Sequence, residues 1–242
     1  MLRIMFVNPV GTEVYDEYIK GIIEEIKRPD VEATVTHLNK GPTHLEYHYY
    51  EHLIIDEMLH LLKNAEREGY DAFVIGCFYD PGLREAREIV SMPVIAPAET
   101  CMHVASTLGH KFSIIVGRRK WIPKMEDNAY VYGLERKLAS FREMKLSVPQ
   151  MVKNPGNTKE AILKAAKKAV EEDGAEVIVL GCTMESGFIK DLIRILGVPV
   201  LDAVVISWKF AEMCADLYHQ FGLSHCKIGG YESPPQEEGW LK

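Results

Sequence analysis

The sequence has a deficit of positive charge and no long apolar run. Among its 242 residues, 28 are Lys or Arg and 35 are Asp or Glu, so the formal net charge is −7. Nucleic-acid-binding proteins normally present a basic patch, so this acidic balance argues against nucleic acid as a partner. No apolar run approaches the roughly 18–20 residues of a membrane helix, and the first residues turn polar too soon for a signal peptide. We therefore expect a soluble, cytoplasmic protein with no membrane segment.

The sequence also lacks the short motifs that hold metals, nucleotides or a serine nucleophile. Its five cysteines include no CxxC pair, and their odd number over a long chain does not fit a disulfide scaffold or a structural zinc site. No GxGxxG, P-loop or GxSxG motif supports a nucleotide site or a hydrolase. We therefore expect no metal and no organic cofactor, and we expect the cysteines to be thiols.

What the sequence does contain is a regular alternation of short β-branched runs with amphipathic helical patterns. This alternation predicts βαβ units and a mostly parallel sheet covered by helices on both faces, so we expect an α/β fold. The predicted strands are 2–7, 31–37, 72–75, 93–96, 111–116, 144–148, 176–180 and 198–201. The predicted helices are 14–26, 53–65, 84–90, a stretch ending near 141, one that starts in a capping box at 157–160, then 188–196 and 206–219.

An internal repeat is the most informative feature of the chain. Residues 68–77 align with residues 173–182 at a constant offset, and both segments end in a Gly-Cys pair, with Cys77 and Cys182 last. A repeated βα unit predicts two similar α/β subdomains. If these are related by a pseudo-two-fold axis, the two cysteines lie on opposite walls of one cleft.

The position of Cys77 and Cys182 favours acid/base chemistry. Ligands of open α/β sheets bind outside the carboxyl ends of the strands, where both cysteines fall. A following helix N-terminus would lower the thiol pKa toward 8 and favour the thiolate. Two such groups flanking a carbon next to a carbonyl can invert its configuration, because one removes a proton and the other delivers one to the opposite face. The alternative is simple burial, which we expect for Cys101, Cys214 and Cys226.

Several segments, in order and at family spacing, resemble the Asp/Glu/hydantoin racemase superfamily, specifically its hydantoin and allantoin racemase branch. The stretch 76–83, GCFYDPGL, is similar to the branch motif GCFGDPGL, with Tyr79 in place of a glycine. The resemblance extends to about residue 205. Other segments that carry it are Gly41-Pro42 with Leu45-Glu46, 97–105, 108–113, Ile122-Pro123, 132–135 and Gly181-Cys182.

The resemblance implies a cofactor-independent racemase of five-membered cyclic ureides, such as 5-substituted hydantoins or allantoin, with Cys77 and Cys182 as its two bases. It also implies an active-site cleft between two subdomains. The first would comprise residues 1–97 plus 205–242, with a returning C-terminal helix, and the second residues 98–204. A small-molecule substrate and a homo-oligomer are the expected partners.

The resemblance further implies a set of substrate-binding positions. Backbone amides after each cysteine, at Phe78-Tyr79 and Thr183-Met184, would hold the developing enolate oxygen. Tyr79 and Met184 also add bulk beside the cysteines.

Three more positions stand where the branch usually carries polar groups. Asn8 and Thr12 lie where the family has NPN followed by a hydroxyl residue, and Gly117 lies where it often has a threonine. These departures leave the exact substrate open.

Other signals have less specific interpretations. His44, His48 and His52 share the spacing of one helix face, but we favour a half-buried face or a flap over a metal site. The basic cluster 118–120 is interpreted as a solvated turn, or as a means of steering an anionic substrate. Glu99 is predicted to cap the helix that follows it.

Two alternative functions stay open. One is an aspartate or glutamate racemase, which Gly181-Cys182-Thr183 suits but the first cysteine motif does not. The other is a non-catalytic relative that keeps a small-molecule cleft. A decarboxylase needs only one of the two cysteines, so the presence of both argues against that activity.

Overall fold

The computed structural model describes residues 1–235, which form two parallel β-sheets with helices packed around them. Residues 236–242 lie outside the described residues, and with them the end of the predicted tail 224–242 and of the predicted first subdomain. None of the helices within residues 1–235 combines the length and apolar character that a membrane crossing requires.

The first half of the chain contains one four-stranded sheet in the order β2-β1-β3-β4. Its strands are parallel to their neighbours. The elements are β1 (Leu2–Asn8), α1 (Asp16–Ile26), β2 (Val31–His37), α2 (His48–Arg67), β3 (Ala72–Ile75), α3 (Leu83–Ile89) and β4 (Val94–Ile95).

The second half repeats this sheet, in the order β6-β5-β7-β8. The two sheets have the same topology, and this confirms the predicted α/β fold of two similar subdomains. The elements are α4 (Pro97–Leu108), β5 (Phe112–Val116), a 3-10 helix (Arg119–Trp121), α5 (Ile122–Val131), β6 (Leu138–Glu143), α6 (Val148–Lys153), α7 (Pro155–Asp173), β7 (Val177–Leu180), a 3-10 helix (Thr183–Glu185), α8 (Ile189–Leu196), β8 (Val200–Leu201) and α9 (Ala203–Phe221).

Helices α4 and α9 pack against each other between the two sheets. α9 contacts β1, β3 and β4 of the first sheet, whereas α4 contacts β5 and β7 of the second. Ala105 of α4 and Ala211 of α9 are fully buried, and so is Cys101 of α4, as expected. α9 thus returns to the first sheet, and the predicted division into 1–97 plus 205–242 and 98–204 stays a prediction.

The region before and after β6 differs from the sequence prediction. The helix was expected to run to about residue 141 with a strand over 144–148, but α5 ends earlier and the strand is β6 itself. Gly133 follows α5 with a positive φ of 71°, which favours glycine and ends the helix. β6 is a half-buried edge strand that pairs with β5, and the Ser140 hydroxyl lies 2.8 Å from that of Ser113. These tertiary partners override the helical pattern of the local sequence.

The start of α7 also differs from the prediction. The capping box predicted at 157–160 is wrong, because Asn154 is the N-cap and Pro155 is the first helical residue. The Asn154 side chain accepts a hydrogen bond from the Asn157 backbone N–H at 3.1 Å. Proline fits this first position because its missing N–H would have no partner there.

The glycine before each cysteine lies directly against the central strand of its sheet. The Gly76 N–H donates to the Val7 carbonyl at 2.7 Å, and the Gly181 N–H donates to the Ile115 carbonyl at 2.9 Å. A Cβ at Gly76 would lie 2.6 Å from the Val7 oxygen, and one at Gly181 would lie 2.5 Å from the Ile115 oxygen. Real Cβ atoms do not approach oxygen this closely, so both sites require glycine.

This close packing predicts that Gly76→Ala and Gly181→Ala each lower the free energy of unfolding by about 1–3 kcal/mol, as overpacking does. Gly21→Ala is the matched control, since a Cβ there meets nothing within 4 Å. In the exposed interior of α1, it should raise stability by about 0.5–1 kcal/mol because alanine is the better helix former. Urea denaturation measures the free energy of unfolding of all three variants. Equal effects at the three sites would contradict the close packing of Gly76 and Gly181.

Candidate active site

Cys77 and Cys182 line the same small cavity, at the carboxyl ends of β3 and β7. The cavity has a volume of about 50 Å³ and draws its walls from both halves of the chain. Its lining residues are Leu45, Glu46, Cys77, Phe78, Tyr79, Trp121, Met125, Val148, Gly181, Cys182 and Thr183.

Matching turns present the two cysteines. The Asp80 N–H donates to the Cys77 carbonyl and the Glu185 N–H donates to the Cys182 carbonyl, both at 3.0 Å. The two turns also touch, because the Thr183 hydroxyl lies 3.4 Å from the Gly76 carbonyl oxygen. The internal repeat therefore brings two equivalent thiols to one site.

Both thiols are harder to ionise than the sequence predicted. Burial raises the pKa of Cys77 to about 12 and raises that of Cys182 well above its usual value. Hydrogen bonds from the backbone amides of Tyr79 and Met184 act in the opposite direction but do not offset burial. The predicted lowering toward pKa 8 is wrong, because neither cysteine directly precedes an α-helix. α3 begins only at Leu83, and a single 3-10 turn follows Cys182.

The predicted substrate-binding residues on the two cysteine turns lie at or next to the cavity. Phe78, Tyr79 and Thr183 line it directly. Met184 lines a neighbouring pocket together with Tyr15 and other residues. The backbone amides of Tyr79 and Met184 act on the thiols by lowering their pKa values, and their binding of an enolate oxygen stays a prediction.

The other three predicted substrate-binding residues are not among those that line the cavity. The Asn8 amide nitrogen donates to Asp16 at 2.6 Å, and the Thr12 hydroxyl lies 3.4 Å from the Val14 backbone nitrogen. Gly117 is a packing position, since a Cβ there would lie 2.5 Å from the Leu146 carbonyl oxygen and would collide with the Trp121 ring.

Glu46 and Trp121 line the cavity although the sequence did not single them out as site residues. Glu46 is 4% exposed, and its carboxylate lies 3.3 Å from the Arg118 guanidinium and 3.4 Å from His44 Nδ1. Glu46 belongs to the segment that resembles the family, and this is the signal that could have identified it. Arg118, from the basic cluster, is an ion-pair partner of this buried acid rather than part of a free solvated turn.

The histidine stretch does not share one helix face. α2 begins at His48, so His44 lies in the loop before it. His48 and His52 line a separate cavity of about 700 Å³, which shares the Cys77 turn through Asp80. Nowhere in residues 1–235 do three or more His, Cys, Asp or Glu side chains gather as a metal would need.

Asp80, rather than Glu99, caps α4. Its carboxylate accepts hydrogen bonds from the Ala98 and Glu99 amides at 2.9 and 2.8 Å, and from the Tyr132 hydroxyl at 2.7 Å. Burial nevertheless raises the pKa of Asp80 to about 7. Glu99 instead forms an ion pair with Arg87. The predicted capping role of Glu99 is therefore wrong.

Glu185 occupies the position of Asp80 in the second half but has no comparable partner. The Asp202 side chain caps α9 from its own N-cap position, accepting from the Val204 and Val205 amides. Glu185 is fully buried, and within residues 1–235 neither carboxyl oxygen has a hydrogen-bond partner. Burial, reinforced by the charge of Asp202, raises the pKa of Glu185 well above its usual value. Burial therefore favours the neutral form of the Glu185 carboxyl.

The sequence and the structure were compared with known proteins, and the matches given below are all to racemases or to their family. Residues 4–211 match the family described as Asp/Glu/hydantoin racemase. A hydantoin racemase of Pseudomonas sp. (strain NS671) is 34% identical over 237 residues, covering 98% of this chain and 94% of that protein. A hydantoin racemase of Rhizobium meliloti is 33% identical, covering 96% of this chain and 95% of that protein. The structure of allantoin racemase from Klebsiella pneumoniae superposes with a TM-score of 0.92 at 29% identity, covering 98% of this chain and 95% of that one.

Because the Glu185 carboxyl has no partner, replacing it should raise the free energy of unfolding by an amount that depends on pH. The pKa of Glu185 is higher in the folded state than its usual value of 4.5. Its contribution to stability is therefore fully present below about pH 4.5 and is lost as the pH rises toward the folded-state pKa. Glu185→Met should therefore raise the free energy of unfolding by about 1–3 kcal/mol more at pH 8 than at pH 5.

Denaturant unfolding at the two pH values measures this difference. Asp80→Ala is the contrasting variant at the equivalent position, and it should lower stability at pH 8 by about 1–2 kcal/mol because it removes a helix cap. A Glu185→Met effect that is equal at both pH values would contradict the raised pKa of this carboxyl.

Proposed function

Because the chain belongs to the Asp/Glu/hydantoin racemase family and is an isomerase, we propose that it racemises a five-membered cyclic ureide, either a 5-substituted hydantoin or allantoin. The observation that carries the proposal is the pair of equivalent cysteines, Cys77 and Cys182, on one cavity. The relatives named as hydantoin and allantoin racemases, which align over nearly the whole chain, support the choice of substrate.

The proposed reaction moves one proton off the substrate and another onto it. One cysteine, as thiolate, takes the proton from the ring carbon next to the carbonyl, and the electron pair left behind is delocalised onto the carbonyl oxygen as an enolate. The other cysteine, as thiol, then donates its proton to the opposite face of that carbon. The enzyme finishes with the two protonation states exchanged, which is the form that acts on the product enantiomer.

Burial of the thiols suits this division of roles. A thiolate removed from water is a stronger base, which matches the raised pKa of Cys77. The negative charge of Cys77 further raises the pKa of Cys182, so ionisation of one thiol opposes ionisation of the other. When one thiol is ionised, the other therefore keeps the proton that a two-base racemisation requires.

The substrate class follows from the acidity of the reacting carbon. The ring carbon of a cyclic ureide lies next to a carbonyl in a neutral ring and loses its proton more easily than the α-carbon of a free amino acid. With no metal or organic cofactor expected, this intrinsic acidity lowers the barrier to removal of the proton. Assembly into a homo-oligomer and a cytoplasmic location stay predictions.

The proposal predicts enzyme-dependent exchange of the ring α-proton of 5-benzylhydantoin or allantoin in D2O, followed by proton NMR. Aspartate and glutamate should show no exchange above the enzyme-free control. A Cys77→Ser, Cys182→Ser double variant should lose at least about 10²-fold of the exchange rate, the lower end for loss of acid/base groups.

The same assay separates the alternatives. Exchange of aspartate or glutamate, but of no ureide, would assign the amino-acid racemase function instead. Binding of a ureide without any exchange would indicate the non-catalytic relative. The enzyme-free control is essential, because these ureides racemise slowly by themselves.

A further inference from the structure

We propose that Glu46 and Trp121 recognise the ureide ring: the Glu46 carboxylate accepts a ring N–H, and the Trp121 indole N–H donates to a ring carbonyl. This inference rests on the proposed function and adds the residues that select the ring. Both side chains line the cysteine cavity, and they reach it from segments that lie far apart in the chain.

The Glu46 carboxylate has unused acceptor capacity. Its side chain is 4% exposed, so little water reaches it, and its contacts to Arg118 and His44 are long, at 3.3 and 3.4 Å. A carboxylate offers about four acceptor sites, and good hydrogen bonds from nitrogen are nearer 2.9 Å. A donor from a bound ligand would therefore complete the coordination of this buried group.

Trp121 supplies the complementary donor. It is 3% exposed, and its indole Nε1 has no hydrogen-bond partner within residues 1–235. The ring is held in place by close packing, because its outer edge lies where a Cβ of residue 117 would be, and Met151 contacts the same point. Gly117 thus permits the position of the indole. Since buried donors are normally paired, the orphan N–H points to a ligand acceptor.

Apart from the thiols, Thr183 and the Tyr79 hydroxyl, the remaining lining side chains carry no polar group. They consist largely of apolar groups, including Leu45, Phe78, Met125 and Val148. A cyclic ureide carries N–H donors and carbonyl acceptors on one small neutral ring, which matches one buried acceptor and one buried donor. A free amino acid presents a carboxylate, which the negative charge of Glu46 would repel.

The test compares 5-benzylhydantoin with its N1-methyl and N3-methyl derivatives, using α-proton exchange in D2O to obtain kcat/KM. In the wild type, methylation of the nitrogen that faces Glu46 should lower kcat/KM by at least about 100-fold, because sites built for a hydrogen bond reject analogues that lack it. In Glu46→Ala, the parent substrate should be slow, but the methylated and parent rates should lie within about tenfold of each other.

Trp121→Phe should behave differently. It removes a donor to the carbonyl, so it should lower kcat/KM about 10–100-fold for parent and methylated substrates alike, leaving their ratio unchanged. Glu212→Gln is the matched control, because Glu212 is equally buried and accepts a hydrogen bond from a tryptophan, Trp208, but does not line the cavity. It should leave both the rates and the ratio within about twofold of the wild type.

A binding measurement separates this inference from the proposed function. 5,5-Dimethylhydantoin keeps the ring but has no α-proton, and calorimetry reports its affinity for the wild type and for Glu46→Ala. If the wild type exchanges ureides but the N-methyl penalty is unchanged in Glu46→Ala, the recognition is overturned and the racemase proposal stands. If no ureide exchanges but the dimethyl compound binds more weakly to Glu46→Ala than to the wild type, the racemase proposal is overturned and the recognition by Glu46 stands. If neither occurs, both are overturned.

Discussion

The contact between each strand-end glycine and its neighbouring central strand determines where the two thiols lie. Gly76 and Gly181 each donate to a carbonyl of the adjacent strand at a position where no Cβ fits. In each half of the chain, the backbone can then turn sharply at the end of the strand and present a cysteine one residue later. Because the two halves share one topology, the same contact occurs twice and delivers Cys77 and Cys182 to a common cavity. The proposed acid/base pair depends on this duplicated backbone geometry.

The two halves are alike in backbone but differ in ionisation. Asp80 is bound by two helix amides and a hydroxyl, whereas its counterpart Glu185 is buried with no partner in residues 1–235, because Asp202 caps the corresponding helix. Glu185 also raises the pKa of Cys182 through its charge when ionised, while Glu51 and Asp80 act on Cys77. The two thiols therefore lie in different electrostatic environments, although the proposed reaction uses them in exchangeable roles.

Much of the fold could be predicted from the sequence, because the signals are local or repeated. The buried strands β3 and β7 and the Gly-Cys pairs after them follow from the apolar runs and the constant offset of the repeat. Edge strand β6 could not be predicted this way, since its pairing with β5 and the contact between Ser140 and Ser113 join separate segments. The pKa of Cys77 depends on how many atoms surround it in the folded chain, and the pattern around a cysteine does not show this.

Part of the candidate site could also be predicted, because part of it is encoded in local sequence motifs. The cysteine turns are contiguous motifs, and three of the predicted binding residues on them line the cavity. Glu46 lies in the loop before α2 and Trp121 ends the 3-10 helix after β5, so their convergence is a property of the tertiary structure. Asn8, Thr12 and Gly117 were chosen by family register, and the structure places them in packing or local hydrogen bonds.

The central claim is that two cysteines work from opposite faces of one carbon, and single variants with single enantiomers test it most directly. Cys77→Ala and Cys182→Ala would each be incubated in D2O with the separate enantiomers of 5-benzylhydantoin, and proton NMR and optical rotation would be followed together. The two-base account predicts that neither variant racemises and that any exchange each retains is confined to one enantiomer, a different one for each variant. Racemisation by either variant, or exchange of both enantiomers by one, would contradict it.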